Sequence, residues 1–430
     1  MNGKKILKKI LAIGSVLVLS ACGVTSEKNS TSESIDSNLQ ENAAAAESQN
    51  TDRTLEHTDV QGKTELLTGY MGASDYAATN EGFYQVIANP NGGCNILYTD
   101  FSSGKTIYLC NQPNCVHDNG ACTSWIAAQT AELFSAPDDS GMYCIIGSTN
   151  GDELWSMNPA GGDRKILYQC TADERLLDAI AGNEKSLYFS VMSMQMKAGT
   201  MSKNLLQLDT ATGKTTKLLE YPAQTWLFGA YQNTLILLYY DEPTFTYRTY
   251  DLQTGTLTDL YSYSVDSEGK GAFARPYENK LFIFEPVGEN KANLEVMDIE
   301  TKKREPVVSD IEYYGSESMS VSGFYDGCMS VFVTNPSSHE KKHYLIDINS
   351  GDVFSIDLQY QQGEISVPVD IYASANDKFI VNCGISAQNI LLQNNDGTSY
   401  VSQIDAMEYA FIDKADYIQN KFNISKINIQ

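Results

Sequence analysis

A short hairpin pattern recurs along this chain, and it restricts the fold more than any other feature of the sequence. In residues 204–218, apolar and polar residues alternate up to Asp209, and Gly213 closes a short polar turn. Alternation with a period of two is typical of a half-buried strand, whereas Asp and Gly suit a tight turn. We therefore predict a β-hairpin in this segment.

The same turn, an Asp or Asn followed within a few residues by Gly (by Lys302 in one copy), begins at Asp100, Asn158, Asp209, Asp251, Asp298 and Asp347. The copies are roughly 50 residues apart, and each follows a further apolar strand. This period, with short strands and no helical periodicity, predicts an all-β protein, a β-propeller with four strands per blade. The preceding strand would be the second of its blade, and the hairpin would supply the third and fourth.

The carboxyl-terminal tail must supply one more blade. Residues 379–382 are its predicted second strand, and residues 390–401 and 408–424 are two candidates for its closing hairpin. We predict a seven-bladed propeller with one of these hairpins as an insertion, and eight blades result if both count. Hairpins alone do not prove that a ring closes, so an open pair of β-sandwiches or a solenoid is the alternative.

The amino terminus has the pattern of an exported protein. Residues 1–21 combine basic residues with a short apolar run, as a signal peptide does, and the run is too short for a stable membrane span. They end in Leu19-Ser20-Ala21 before Cys22, which resembles the lipobox of bacterial lipoproteins. The resemblance implies a diacylglycerol (palmitate) anchor on Cys22 at the outer face of the cell membrane. An ordinary cleavage site is the alternative.

A change of composition separates this signal from the folded part. Residues 22–63 are rich in Ser, Thr, Asn, Glu, Gln and Ala and poor in large apolar residues. Such a segment buries too little surface to offset its ordering entropy, so we predict a flexible tether. The β-propeller domain would then span residues 64–430.

The repeat copies also resemble a known group of proteins. Their Asp-x-x-Thr-Gly turns are similar to those of TolB-like propellers and, more closely, to those of Gram-positive surface lipoproteins. The propeller of that group is named for its likeness to the low-density-lipoprotein-receptor-related type. The resemblance implies a propeller displayed outside a Gram-positive cell, in a group whose biochemical function is undefined.

The charge of the chain excludes some partners. The formal net charge is −24 at pH 7 and is spread along the sequence, which argues against nucleic acid and an anionic bilayer surface as ligands. No Asp-x-Asp-x-Asp-Gly loop is present to form an EF-hand-type calcium site. We expect a monomer whose acidity keeps it soluble outside the cell.

One cysteine-rich stretch departs from the repeat. Cys110, Cys115, His117 and Cys122 follow the fourth strand of blade 1, and Cys94 lies in a loop of the same propeller face, opposite the recurring turns. We expect these five side chains to converge. Export favours two disulfides, and three thiolates with an imidazole could instead form a structural zinc site, although the spacing is not a common zinc pattern. Free thiols and a catalytic Cys–His pair are further alternatives. The stretch also resembles a segment of the same lipoprotein group.

A methionine-rich stretch lies between the second and third strands of blade 3. Met192, Met194 and Met196 alternate with other residues and so share one side. Thioethers could bind Cu(I), but adaptable apolar packing is the favoured interpretation. The remaining cysteines of the domain, in or beside strands, are predicted to be small buried hydrophobes: Cys144, Cys170, Cys328 and Cys383.

Aromatic residues fall in or near loops of the same face. Trp125, Tyr240 and Tyr247 are candidates for a ligand rim, together with the methionines, that would stack sugar rings or contact a protein. His339 and His343 belong to a polar hairpin tip of blade 6 and are predicted to be exposed.

No residue pattern identifies a reaction. The chain has no Asp-box of sialidase propellers, no regular Trp of quinoprotein blades, no evident Ser-His-Asp set and no Gly-rich phosphate loop. We therefore predict a non-enzymatic binding or scaffold module for an extracellular protein, peptide or glycan. The alternatives are a metal-handling surface protein, using zinc or Cu(I), and an uncharacterised propeller hydrolase.

Overall fold

Four-stranded antiparallel sheets follow one another along the chain. The computed structural model describes residues 63–148, 150–194, 201–267, 269–393 and 398–429. The predicted signal peptide, Cys22, nearly all of the tether and Met196 lie outside these residues. Within each sheet, consecutive strands pair in chain order, as in a propeller blade. The described residues form seven such sheets, which confirms the all-β propeller and the favoured number of blades.

The strands of blades 1 to 3 are Tyr76–Ala78, Gly82–Ala88, Cys94–Asp100 and Thr106–Tyr108, then Glu132–Ser135, Met142–Ile146, Glu153–Met157 and Lys165–Gln169, then Glu174–Gly182, Ser186–Ser193, Ser202–Asp209 and Thr215–Pro222. Those of blades 4 and 5 are Thr225–Gln232, Thr234–Asp241, Thr244–Asp251 and Leu257–Ser264, then Phe273–Tyr277, Lys280–Pro286, Lys291–Asp298 and Arg304–Glu312.

The strands of blades 6 and 7 are Met319–Tyr325, Cys328–Thr334, Lys341–Asp347 and Val353–Ile356, then Ile371–Ala375, Lys378–Gln393, Ser399–Asp413 and Ile424–Lys426. Additional strands are Thr64–Leu66, Trp125–Ile126 and the hairpin Gln359–Gln362 with Ile365–Pro368. Ser316–Ser318 is a 3₁₀ turn and Lys414–Ile418 a short α-helix. Across the described ranges, no helix has the length and apolar character needed to cross a membrane.

The recurring turn joins the third and fourth strands of a blade, as predicted. In blade 3 the Asp209 carboxylate accepts hydrogen bonds from the Thr212 N–H and hydroxyl, at 2.8 and 2.7 Å. The Gly213 N–H donates to the Asp209 carbonyl, and its φ of +70° is one that glycine adopts without strain. Lys302 takes the same conformation in blade 5, with φ 58°.

Apolar packing between neighbouring blades forms the core. Seven buried clusters occur, and each combines residues of two adjacent blades. The cluster that joins the two ends of the domain places Phe83 of blade 1 with Ile380 and Tyr409 of blade 7. The sheets therefore close into a ring, and the alternatives of open sandwiches or a solenoid are wrong.

The ring closes without a shared strand. Blades 1 and 7 each take all four of their strands from consecutive parts of the chain. Besides the apolar cluster, Gln85 Nε2 donates to the Met407 carbonyl at 3.2 Å, and one parallel bridge joins Thr106 to Ile429. Side-chain packing between the two blades thus takes the place of strand exchange.

Blade 7 confirms one of the two hairpins predicted to close it. Residues 408–424 form the closing hairpin, because the third strand pairs with Ile424–Lys426. Residues 390–401 are the far end of the hairpin in which Lys378–Gln393 pairs with Ser399–Asp413, and this end, next to Gln388, projects beyond the other strands of the blade. Gln388 Oε1 accepts a hydrogen bond from the Ala88 N–H of blade 1 at 3.2 Å, so the projecting part leans on its neighbour.

A segment near the amino terminus crosses the centre of the ring. Thr64–Leu66 pairs with the first strands of blades 3 and 4 and joins them into one sheet. Ser74 forms a bridge with Leu133 in the first strand of blade 2. Because first strands surround the channel of a propeller, residues 64–75 lie inside it and are called the channel segment below. A cavity of about 120 Å³ remains beside them.

Candidate functional site

The cysteine-rich loop leaves and rejoins the same strand of blade 1. The third strand of that blade pairs first with its fourth strand and then with Trp125–Ile126. At the ends of the intervening loop, the Leu109 N–H donates to the Ile96 carbonyl, and the Ile96 N–H donates to the Ser124 carbonyl, both at 2.9 Å. Both ends of the loop are therefore held at one point of the sheet.

Four side chains of this loop converge. The sulfurs of Cys110, Cys115 and Cys122 and a ring nitrogen of His117 all lie within 4.8 Å of one another. His117 Nδ1 is 3.2 Å from Cys122 Sγ. In a tetrahedral site with Zn–S bonds of about 2.3 Å, neighbouring sulfurs are about 3.8 Å apart, so only small shifts separate this cluster from coordination. The cluster can hold a metal ion.

Polar side chains of blade 1 hold His117 in place. Asn89 Nδ2 and Asn95 Nδ2 donate to the His117 carbonyl at 2.8 and 2.9 Å. The imidazole stacks on Tyr108, with ring centroids 4.2 Å apart. These contacts maintain His117 in a left-handed conformation, φ 57°, which costs a non-glycine residue energy. Neither asparagine was predicted as a functional residue from the sequence, although their position around the Gly-Gly turn before Cys94 was an available signal.

Blade 2 closes the other side of the loop. Arg164 donates to the Trp125 carbonyl at 2.6 Å and to the Thr123 carbonyl. A Cβ on Gly161, in the recurring turn of blade 2, would lie 2.6 Å from the Thr123 oxygen. The turn of blade 2 therefore contacts the base of the cysteine-rich loop, whereas the sequence predicted that the turns and this loop lie apart on opposite faces.

Cys94 does not join the cluster, contrary to the prediction. Strand alternation turns it inward with Ile96, and it is fully buried between blades 1 and 2 near Cys144. Burial raises the pKa of both thiols to about 12. Cys144, Cys170 and Cys383 are buried as predicted, whereas Cys328 is only half-buried.

The described cysteines are all free thiols. Two disulfides in the cysteine-rich loop are therefore not observed, and the geometry fits the metal alternative better. Burial raises the pKa of Cys122 to about 12. Burial also opposes ionisation of Cys110, but hydrogen bonds from the Gln112 N–H and the neighbouring thiols bring the pKa of Cys110 below its ordinary value. A bound metal ion would displace the remaining thiol protons.

Two of the predicted rim aromatics make contacts within the propeller itself. Tyr247 is buried between blades 4 and 5, where its hydroxyl donates to the Ala274 carbonyl. Trp125 is half-buried, and its indole N–H donates to the Gly92 carbonyl at 3.0 Å. Tyr240 is half-buried at the end of a strand. The prediction of a rim residue is thus wrong for Tyr247, because alternation along its strand directs it into the core.

The methionine-rich stretch is only partly described. Met192 is half-buried in the second strand of blade 3, while Met194 and Met201 are 51% and 40% exposed. Met196 lies outside the described residues. Copper binding by these thioethers therefore stays a prediction.

A Ser-His pair lies inside blade 6 and was not predicted from the sequence. Ser330 Oγ lies 2.8 Å from His343 Nε2, and both side chains are buried. The prediction that His343 is exposed is wrong, whereas His339 is exposed as predicted. His343 lies within the third strand of the blade, where alternation with Leu345 turns it inward. That alternation was the signal that could have found it.

The Ser-His pair does not have the geometry of a hydrolase triad. Asp370 accepts a hydrogen bond from the Ser322 hydroxyl at 2.9 Å and lies 3.3 Å from Ser330 Oγ, so its carboxylate faces the serines and not the imidazole. The second imidazole nitrogen of His343 faces the Tyr417 hydroxyl. A nucleophile must reach its substrate, and Ser330 has no exposed surface. We interpret this network as structural.

The whole chain matches no protein-family model and no curated protein. A puromycin-hydrolyzing peptidase of Mycobacterium tuberculosis is similar in structure, with TM-score 0.49 and 9% identity, over 84% of this chain and 54% of the peptidase. Oligogalacturonate lyase of Vibrio parahaemolyticus has a TM-score of 0.45 and 10% sequence identity, over 82% of this chain and 96% of the lyase. TolB of Acinetobacter baumannii has a TM-score of 0.32 and 11% sequence identity, over 69% of this chain and 66% of TolB.

The chain thus spans about half the length of the peptidase it resembles. Sequence identities near 10% transfer no activity, substrate or partner to this chain. Its function has to be argued from its own residues.

Folding stability should depend on pH through His343. Burial lowers the pKa of His343 from its ordinary 6.5 to about 3. The unfolded chain therefore takes up this proton first, and the folded state loses stability as the pH falls from 6.5 toward 3, by up to about 1.4 kcal/mol per pH unit. Urea unfolding at a series of pH values should show this contribution in the wild type and not in His343→Gln.

A second buried group, Asp370, also contributes to the pH dependence of stability, and it is present in both proteins. Burial raises the pKa of Asp370 to about 6, so below that pH its protonation favours the folded state and acts in the opposite direction. Nearby Lys341 remains present in both proteins as well. Only the difference between the two pH profiles therefore reports His343, and parallel profiles would contradict its assignment as a buried neutral imidazole.

Proposed function

We propose that this protein is a lipid-anchored, extracytoplasmic β-propeller that binds a protein or peptide and carries a structural zinc ion in its cysteine-rich loop. The observation that carries the binding role is the distribution of its exposed apolar side chains. The zinc ion would fix the shape of one of the loops that surround the binding surface.

Among the described connections between strands, most of the exposed apolar side chains lie on one face of the ring. We call this the loop face, which is formed by the connections between second and third strands, the connections between blades, and the projecting hairpin of blade 7. Large exposed apolar residues of the loop face are Val116, Met194, Met201, Val287, Ile365, Tyr400 and Val401. Among the described connections of the opposite face, Phe422 is the one such residue. The loop face therefore offers a partner more apolar side chains than the connections of the opposite face do.

The chemistry of the loop face favours a peptide over a glycan. Sugar rings stack on exposed aromatic faces, but Tyr247 is buried, Trp125 is hydrogen-bonded within its own blade, and Tyr400 is the single aromatic among the exposed loop-face residues named above. Aliphatic and thioether side chains predominate instead, and they suit the apolar side chains of a protein or peptide. We therefore place an extracellular protein or peptide first among the predicted ligands.

Zinc is the metal that best fits the cysteine-rich loop. Thiolate and imidazole ligands select Zn²⁺ over hard cations such as Mg²⁺ and Ca²⁺. Four protein ligands leave no open position for a reacting water, which favours a structural role over a catalytic one. The loop has little core of its own, since Val116 at its tip is 71% exposed. A metal ion joining Cys110 to Cys122 would stabilise it.

The cellular location rests on the amino-terminal sequence. Basic and apolar residues precede the lipobox-like Leu19-Ser20-Ala21, and a Cys carrying two acyl chains would hold the protein durably on the outer face of the cell membrane. Residues 22–63 would then serve as a tether between the lipid and the propeller. We propose a monomer on a Gram-positive cell, and the net charge of −24 disfavours nucleic acid as its partner.

The purified protein should contain about one zinc ion per chain, because the cluster provides one tetrahedral set of ligands. Cys115→Ser and Cys122→Ser should lose the zinc and unfold at a lower temperature. Cys328→Ser, which removes a thiol outside the cluster, should retain it. Elemental mass spectrometry and thermal unfolding test this. A zinc-free protein lighter than its reduced form by four hydrogens would establish two disulfides instead.

Charged substitutions on the loop face should weaken peptide binding. Peptides selected from a random display library on the immobilised protein should bind the combined variant Val116→Glu, Ile365→Glu and Val401→Glu at least about tenfold more weakly, because apolar anchors dominate such interfaces. Ile166→Glu, at an exposed residue of an outer strand, is the matched control. Failure to select any peptide, or equal binding of the peptides to all variants in fluorescence polarisation, would contradict the proposed peptide-binding role of the loop face.

Cys22→Ser should move the protein from the membrane fraction to the soluble fraction and abolish incorporation of labelled palmitate, because the thiol is the acceptor of the lipid. Cys328→Ser should leave both properties unchanged. Fractionation followed by immunoblotting measures the distribution. Equal membrane retention of Cys22→Ser and wild type would exclude this anchor.

A further inference from the structure

Arg275 is a buried cation without a counter-charge. It lies in the first strand of blade 5, next to the channel, and is only 7% exposed. Among the described residues, no carboxylate lies within ion-pair distance of its guanidinium, and no group accepts a hydrogen bond from it. Burying a charge without a partner is costly, so such groups are nearly always paired.

Blade 3 shows how this fold satisfies a buried cation. Lys203 of blade 3 donates to both carboxylate oxygens of Asp178, at 2.9 and 2.8 Å, and to the Thr225 carbonyl at 2.9 Å. The three N–H donors of the ammonium group therefore all have acceptors. Arg275 has five N–H donors and no such acceptor within the part of the chain that the structure describes, which leaves these donors available to solvent or a ligand.

Two aromatic rings hold the guanidinium in position. Its central carbon lies 3.5 Å from the ring centroid of Tyr70, in the channel segment, and 4.7 Å from that of Phe228. The rings stabilise the positive charge by cation–π contacts, but they do not replace acceptors for N–H groups in the guanidinium plane. The Tyr70 hydroxyl also has no hydrogen-bond partner among the described residues.

The free donors retain a small solvent-exposed surface. The guanidinium nitrogens are not among the fully buried unpaired polar atoms of the described residues, so the small exposed part of Arg275 includes them. Burial lowers the pKa of Arg275 to about 10, and the group therefore stays charged at neutral pH. A planar guanidinium with free N–H groups binds carboxylates and phosphates through two parallel hydrogen bonds.

We propose that Arg275 anchors an oxyanion-binding site in the channel, which takes the carboxylate or phosphate group of a small solute. The guanidinium supplies the charge and the paired donors, and Tyr70 and Phe228 form the walls. The site is separate from the metal centre and the loop face. The proposal for this site does not depend on the protein or peptide partner proposed above.

Inorganic phosphate and acetate are the probes for this site. At neutral pH and constant ionic strength, either anion should raise the midpoint of thermal unfolding of the full-length protein. Calorimetric titration should give a Kd of roughly 1 mM, a reasonable affinity for one guanidinium–oxyanion pair. Binding of only one of the two probes also supports the site and identifies the group as phosphate or carboxylate.

Arg275→Met should abolish this response, and it should still fold, because an apolar chain of similar length replaces an unpaired charge. Arg275→Lys keeps the charge but loses the two-point geometry, so its Kd should be about tenfold weaker. Arg304→Met, at an arginine already paired with Glu285, should respond like the wild type. Absence of a response in the wild type, or an equal response in Arg275→Met, would show that water alone satisfies Arg275 and would overturn the proposal.

Discussion

The apolar contact between blades 7 and 1 is the interaction on which the rest of the structure depends. Each blade of a propeller packs only on its neighbours, and no strand is shared here between the first and the last. Closure therefore relies on burial of side chains such as Phe83, Ile380 and Tyr409. The same contact directs the projecting hairpin, since Gln388 accepts a hydrogen bond from the backbone of Ala88 in blade 1.

A closed ring gives the loops rigid starting points but no core of their own. The cysteine-rich loop shows how this is compensated, because Asn95 holds the carbonyl of His117 from blade 1 and Arg164 holds that of Thr123 from blade 2. These contacts fix the backbone and leave the thiols facing one another. The loop is therefore shaped by the ring before any metal binds, which lowers the entropy cost of forming a coordination site.

The architecture could be predicted from the sequence because the recurring turn is local, and Asp209 with Gly213 specifies it within a few residues. The four converging ligands were also found, since they lie close together in the chain. The inward orientation of Cys94, Tyr247 and His343 was not predicted, because it depends on where each strand starts and on which side of the strand faces the core. Contacts over long sequence separations, such as Arg164 with the loop or Tyr70 with Arg275, have no local signal at all.

Unsatisfied chemistry occurs at two places that the fold keeps apart. At the edge of blades 1 and 2, three thiols and an imidazole form a set of metal ligands, while the nearby Arg164 guanidinium is bound to the Trp125 and Thr123 carbonyls. Beside the channel, no carboxylate of the described residues pairs with Arg275, although the chain carries 54 acidic residues and pairs the buried Lys203 with Asp178. A chain so rich in carboxylates could readily have supplied one to Arg275. Its absence there is better explained by a ligand than by a shortage of acids.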